Sequence, residues 1–156
     1  MNNDSFSNSD DDGSEGADPA KAPELIKWDA PAMTTGVASI DEQHQELIAK
    51  INELYRIHLA GATVDDIKPV LKFLGDYAKK HFQFEEELME KTKCPMHHTN
   101  CLAHARFLKD YQELVTNFSL DQDADQTATE IERMAARWLS AHICRVDVAL
   151  REIPKE

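Results

Sequence analysis

The chain has little of what builds anything other than helices. Its 156 residues include five glycines and six prolines, and nowhere does it carry the alternating Val/Ile/Thr-rich runs from which strands are made. Three cysteines, an odd number without a CxxC pair, do not make a disulfide framework and suit a reducing compartment. Basic residues are outnumbered, 17 against 29 acids, for a formal net charge of −12. Nucleic acid and anionic membrane both need a positive surface, so neither is expected as a partner. No uncharged run is long enough to span a bilayer. The N-terminus has neither the basic start nor the apolar stretch of a secretory signal, and a cytoplasmic location is expected. What is present, 42% hydrophobic residues, suffices for one domain with its own core.

Residues 1–23 are rich in Asn, Asp, Ser and Gly, with six acids and Lys21 as the one base. Too little apolar surface is available there to offset the entropy of ordering, so a disordered acidic tail is expected, with the domain over residues 24–156. An irregular arm follows from Leu25 to Ser39, in which Trp28 is either a lid on the domain or an ordinary core contact. Four amphipathic segments come next. The first runs from Ile40 to Leu59 and closes at Gly61. The second covers about Asp65 to Lys91, with Thr63 and Asp66 as caps; Pro69 places the start of regular helix a residue or two before it. The third starts at Pro95. A turn over Asp121 to Asp125 leads to the fourth, about Thr127 to Glu152, closed by Pro154. Short connections between such helices predict an all-α, up-down-up-down four-helix bundle.

Ionisable groups interrupt each apolar stripe. His81 and Glu85 lie four residues apart, one above the other on a helix face, among Leu74, Tyr77 and Leu88 at helical spacing. A buried charge needs a partner, and a metal ion inside a bundle is one. His44, His104 and His142 occupy the stripes of the other three helices. A single buried histidine is more often a hydrogen-bonded core residue than a ligand, but four helices each supplying one make coincidence a poor account. The set His44, His81, Glu85, His104, His142 and Asp147 mixes imidazole and carboxylate, which suits iron or manganese and would accept zinc. Its size suggests two ions.

Four stretches carry a resemblance: Gly36-Val37-Ala38-Ser39-Ile40-Asp41-Glu42-Gln43-His44; His81-Phe82 with Glu85-Glu86; Cys94-Pro95 through His104-Ala105-Arg106-Phe107; and Trp138-Leu139 with His142-Ile143 and Asp147. In this order they resemble the successive signatures of the hemerythrin family, specifically its bacterial domains, over about Trp28 to Leu150. The resemblance implies a non-haem di-iron centre that binds dioxygen, or another small diatomic ligand, for storage, delivery or sensing. It implies that His44 and His81 hold the iron with an open position, that His104 and His142 hold the other, and that Glu85 and Asp147 bridge them.

Asn100 departs from that pattern, which has a third histidine there. Either its amide oxygen coordinates weakly, or water takes the position, or another residue does. His97 lies about 10 Å from His104 along a helix axis, His98 points elsewhere, and Cys101 is close enough to be considered. The preferred expectation is an altered di-iron site with an oxygen donor or water in that place, a more exposed second iron, and a lean towards redox chemistry or sensing with a partner protein. The alternative is a redox enzyme acting on peroxide, nitric oxide or ferrous iron. His142 and Asp147, five residues apart, are turned about 140° on a regular helix, which predicts a π-type widening near Cys144 to Val146. His58 is placed at the far end of the bundle, Glu86 and Glu87 in solvent, and Met89, Met96 and Met134 in packing. Cys94, Cys101 and Cys144 are read as buried, inert thiols.

Overall fold

A computed structural model describes residues 22–120 and 123–154. The expected tail falls almost wholly outside them, as does Asp121 of the expected turn. The elements are α1 (Ala30–Met33), α2 (Ala38–Leu59), α3 (Val64–Lys91), α4 (His97–Leu120), α5 (Ala124–Arg145) and a 3-10 helix over Asp147–Glu152. Helices α2 to α5 pack in sequence, and α5 returns to α2 to close the bundle. No helix among the described residues is long and apolar enough to cross a membrane.

Local chemistry fixes most of the helix ends. At the end of α2, Gly61 adopts a φ of 83°, and the amide of Ala62 reaches back to the Ile57 carbonyl at 3.0 Å, a closure in which the left-handed position favours glycine. At the start of α3, Thr63 and Asp66 exchange side-chain and backbone hydrogen bonds in a capping box, which sets the first residue at Val64. Pro69 therefore stands beyond the first turn, contrary to the sequence expectation. It sits on the exposed face, where the carbonyl of exposed Asp65 that it leaves without a helical partner can be hydrated. Pro95 belongs to the turn before α4, which starts at His97, and α5 stops at Arg145 instead of continuing to Glu152.

The apolar stripes meet in a main core that includes Leu47, Ile51, Leu74, Phe82, Phe107, Ile131 and Leu139. A second, smaller cluster gathers Ile40, Met89, Cys94 and Leu150. Helical register places the ionisable groups between the two: Ile40 is one turn before His44, and Leu47 nearly one turn after it. Met89 likewise follows Glu85 by one turn, and Ala78 precedes His81 by three residues. The histidines and carboxylates thus form a polar layer sealed by apolar packing at both ends.

The N-terminal arm is tied down by Asn52 on α2. Its Oδ1 accepts from the amides of Leu25 and Ile26 at 2.9 and 3.2 Å, and its Nδ2 donates to the Ile26 carbonyl at 2.8 Å. Ile26 is thereby buried, and Trp28 packs half-buried against the core. Asn52→Ala should cost about 2 kcal/mol, since it leaves buried backbone groups of Ile26 without partners. Thermal melts and limited proteolysis of the arm measure this; an unchanged melt with an equally protected arm would contradict it.

At the far end of the bundle, where it was expected, His58 bridges two carboxylates of α5. Its Nδ1 lies 2.7 Å from Glu132 Oε1 and its Nε2 2.7 Å from Asp125 Oδ1. Burial draws this imidazole down, but the two carboxylates outweigh it and raise its pKa. Burial raises that of Glu132.

Candidate metal centre

Five elements deliver the cluster: His44 from α2, His81 and Glu85 from α3, His104 from α4, His142 from the end of α5 and Asp147 from the first residue of the 3-10 helix. All six side chains are buried. Their donor atoms fall into two groups, His44, His81, Glu85 and Asp147 in one and Glu85, His104, His142 and Asp147 in the other, each within 4.8 Å. The carboxylates belong to both groups because their two oxygens face opposite ways. Glu85 Oε2 lies 3.4 Å from His44 Nε2 and 3.5 Å from His81 Nε2, whereas Oε1 lies 3.4 Å from His104 Nε2. Asp147 turns Oδ2 to His44 Nε2 and Oδ1 to His142 Nε2, each at 3.1 Å.

The spacing problem between His142 and Asp147 is solved by a break in the helix at Val146. The Val146 amide makes an ordinary α-helical bond to the His142 carbonyl at 2.8 Å. Val146 then turns to φ −115°, and the chain winds on as a 3-10 helix. An irregularity exists where a π-type widening was expected, but of the opposite kind. A 3-10 step of about 120° against 100° for an α step would by itself carry Asp147 further round from His142, so it is the end of α5 at the distorted Val146, which frees Asp147 from that helix's register, that lets it face the cluster.

A hydrogen-bonded polar core would satisfy these atoms internally, and this one does not. His44 Nδ1 and Nε2, Glu85 Oε2 and both Asp147 oxygens are fully buried without a hydrogen-bond partner. Buried carboxylate oxygens in that condition are costly. Imidazole nitrogens and carboxylate oxygens that converge with so many of their donor atoms left unpartnered fit divalent cations. The electrostatics agree. Burial draws His44 down, but Asp147 and Glu85 together outweigh it and bring its pKa up to about 9. Burial, only partly opposed by Glu85, takes His81 down to about 3. Burial would raise Glu85, yet His104, His44 and His81 hold it well below the usual carboxylate range.

Asn100 is completely buried, so the greater exposure expected on its side of the cluster is not seen. Its Oδ1 lies 2.6 Å from His142 Nε2. Its Nδ2 donates to Glu85 Oε1 at 2.8 Å and to Met89 Sδ at 3.3 Å. The other candidates for this place point elsewhere: His97 Nε2 pairs with Cys101 Sγ at 3.4 Å, and His98 is exposed. Of the thiols, Cys94 is buried as expected, whereas Cys101 and Cys144 are only half-buried. Burial, followed by the neighbouring Glu86, pushes the Cys101 thiol pKa up, which keeps it protonated. Met89, Met96 and Met134 pack against the hydrophobic clusters.

Two outer residues were not assigned from sequence. Gln43 Oε1 sits 2.7 Å from His81 Nδ1. Glu86, expected in solvent, places Oε1 2.8 Å from His104 Nδ1. Each fixes an imidazole's orientation from behind, leaving Nε2 to face the cluster. Helical register was the available signal: Gln43 precedes His44, Glu86 follows Glu85, and in a sequentially packed bundle each is turned about 100° from its neighbour towards an adjacent helix. Aromatic faces complete the support, Phe82 stacked on His104 at 3.8 Å and Trp138 on His142 at 4.3 Å between ring centroids.

Comparison with known proteins agrees with this geometry. Residues 35–150 match the hemerythrin HHE cation binding domain. The chain is 32% identical over 122 residues to a bacteriohemerythrin of Stenotrophomonas maltophilia, covering 76% of this chain and 74% of that one. A Pseudomonas aeruginosa bacteriohemerythrin is 31% identical over 111 residues, 71% and 70% of the two chains. One from Clostridium acetobutylicum is 26% identical over 115 residues, 72% and 88%. Because the family match runs through every helix that supplies the cluster, the chain belongs to the hemerythrin family of non-haem iron proteins.

Proposed function

We propose that this chain binds dioxygen, or another small diatomic ligand, at a carboxylate-bridged pair of iron ions. The observation that carries this reading is the sharing of Glu85 and Asp147 between two four-residue groups, one oxygen of each carboxylate turned to each group. His44 and His81 would hold the first iron, and His104 and His142 the second. Two ferrous ions there would supply the electrons that reversible dioxygen binding requires. The protein's part is to hold neutral imidazoles against the cluster and to exclude bulk water with the two apolar layers. Storage, delivery and sensing all fit; sensing needs a partner protein.

Asn100 would serve the second iron as an oxygen donor. Its Oδ1 stands with the ligand atoms, and the donation from Nδ2 to Glu85 Oε1 fixes the amide in that orientation, because the flipped amide would set oxygen against carboxylate. A neutral amide oxygen is a weaker partner for iron than imidazole. This one substitution favours a second reading, redox turnover of peroxide, nitric oxide or ferrous iron.

Anaerobic loading with ferrous iron followed by titration with dioxygen tests both readings. Two irons per chain are expected, with an absorbance change on oxygenation that reverses when the oxygen is removed. Rapid irreversible oxidation would favour the second reading, and fewer than two irons per chain would reject both.

A further inference from the structure

We propose that the groove between the N-terminal arm and α5 holds the chain's own acidic N-terminal segment, residues 1–21. Three exposed cations line this groove, Lys27 from the arm and Arg137 and Arg145 from α5. No carboxylate lines it, and among the described residues none pairs with any of the three. Cations gathered on one face without an acid among them make a site for a negatively charged segment. Ser140, Ala141 and Cys144 follow Arg137 at three- and four-residue spacing and share its face of α5. Their short side chains leave room between that helix and Ile26, which lines the opposite wall.

Charge and the path of the chain both point to this occupant. Residues 1–21 hold six acids, Asp4, Asp10, Asp11, Asp12, Glu15 and Asp18, against the single base Lys21. They precede the family match at residues 35–150, so the shared architecture of the family does not account for them. The described structure starts at Ala22, three residues before Leu25, which lines the groove. Asp18 is four residues further back and stays within about 14 Å of Ala22. From Ala136 to Arg145 the groove follows about 14 Å of helix axis, a length that the stretch from Asp10 to Asp18 covers with slack. A single exposed ion pair contributes little. Here several acids meet three cations, and tethering in cis sets their local concentration in the millimolar range. The other basic groove, with Lys68, Lys72 and Lys79, is a poorer match. Asp76 already pairs with Lys72 there at 2.6 Å, and that groove lies between α3 and α4, across the bundle from the arm's anchor on α2. Docking closes the α5 face to other acidic surfaces, and salt reopens it.

The test is residue-resolved arginine modification of the full chain with phenylglyoxal, read by mass spectrometry. One variant neutralises the segment through Asp4→Asn, Asp10→Asn, Asp11→Asn, Asp12→Asn, Glu15→Gln and Asp18→Asn. Its melting temperature should match that of the unaltered chain, which separates release of the segment from loss of fold. Arg137 and Arg145 should react several-fold faster in the variant, while exposed Arg106 on α4 reacts at one rate in both chains. Raising the ionic strength from about 0.02 to about 0.5 M shortens the screening length from roughly 20 Å to about 4 Å. This should release the same two arginines in the unaltered chain and leave the variant unmoved. Equal rates at Arg137 and Arg145 in the two chains would overturn the proposal, as would an acceleration shared equally by Arg106. Protection that is lost on dilution would overturn it too, because the segment in the groove would then belong to a second copy.

Discussion

Glu85→Ala is expected to empty both metal positions at once, whereas His81→Ala and His104→Ala should each impair one. The asymmetry follows from the carboxylate's placement. One oxygen faces His44 and His81, the other faces His104, and the side chain is fully buried between them. No other carboxylate of α3 can take over, since Glu86 is committed to the far side of His104. The loss of affinity should exceed the roughly 10–100-fold that an outer-sphere substitution costs, because under the proposed di-iron reading a direct ligand to both ions would disappear. In the metal-free protein the same substitution should matter less: it removes a desolvated carboxylate together with its attraction to His44, and the two effects oppose. Iron content per chain and the melting-temperature gain on metal addition are the measurements. Metal should stabilise the unaltered chain by mass action and leave Glu85→Ala nearly unmoved. A variant that retained one full iron equivalent would show that Glu85 serves a single ion.

The features legible in the sequence are those encoded locally. The apolar stripes of α2 to α5, the cap at Thr63 and the closure at Gly61 depend on residues within one or two turns of one another. So does the pairing of His81 with Glu85. Features that depend on which neighbour a side chain meets were not legible. A run of three glutamates reads as a solvated face, and only the position of α4 beside α3 turns Glu86 into a partner for His104. His58 and Glu132 are 74 residues apart and meet because α5 closes back on α2. The end of α5 is intermediate. A separation of five residues from His142 to Asp147 requires some departure from a regular helix, but the spacing does not say whether the helix widens or ends there. Tertiary contacts accompany the 3-10 form: Leu150 is buried in the smaller apolar cluster, and Arg151 reaches the carbonyls of Thr34 and Pro31. Pro69 shows a strong local rule overridden by another. The capping box fixes the start of α3, and an exposed proline further in is tolerated.

Metal-free protein should be most stable near neutral pH and lose stability on both sides, for opposite reasons on neighbouring histidines. His44, raised to about 9 from an ordinary 6.5 because Asp147 and Glu85 outweigh burial, binds its proton more tightly folded than unfolded. Its contribution is complete below pH 6.5 and is lost as pH rises through 9, a change of about 3 kcal/mol at ~1.4 kcal/mol per pKa unit. His58, raised in the same direction, adds to this alkaline loss. His81 has the reverse sign. Burial holds it down to about 3, so below pH 6.5 the unfolded chain takes the proton and stability falls, by about 4 kcal/mol on approaching pH 3. Glu85, held below its ordinary 4.5, contributes above that pH and adds to the acid loss. Metal changes the shape of the curve, because imidazole ligands must be neutral. At pH 7.5 metal uptake should displace the proton on His44, and the loaded protein should lose the alkaline decline that this proton causes while keeping an acid decline in which protons compete with metal. Melting curves of chelator-treated and metal-loaded protein from pH 5 to 9.5, with proton release followed in weak buffer, measure both effects. Equal stability of the metal-free protein at pH 6.5 and 9.5 would mean that His44 carries no proton between Glu85 and Asp147, and that the two buried carboxylates are balanced in some other way when the metal is gone.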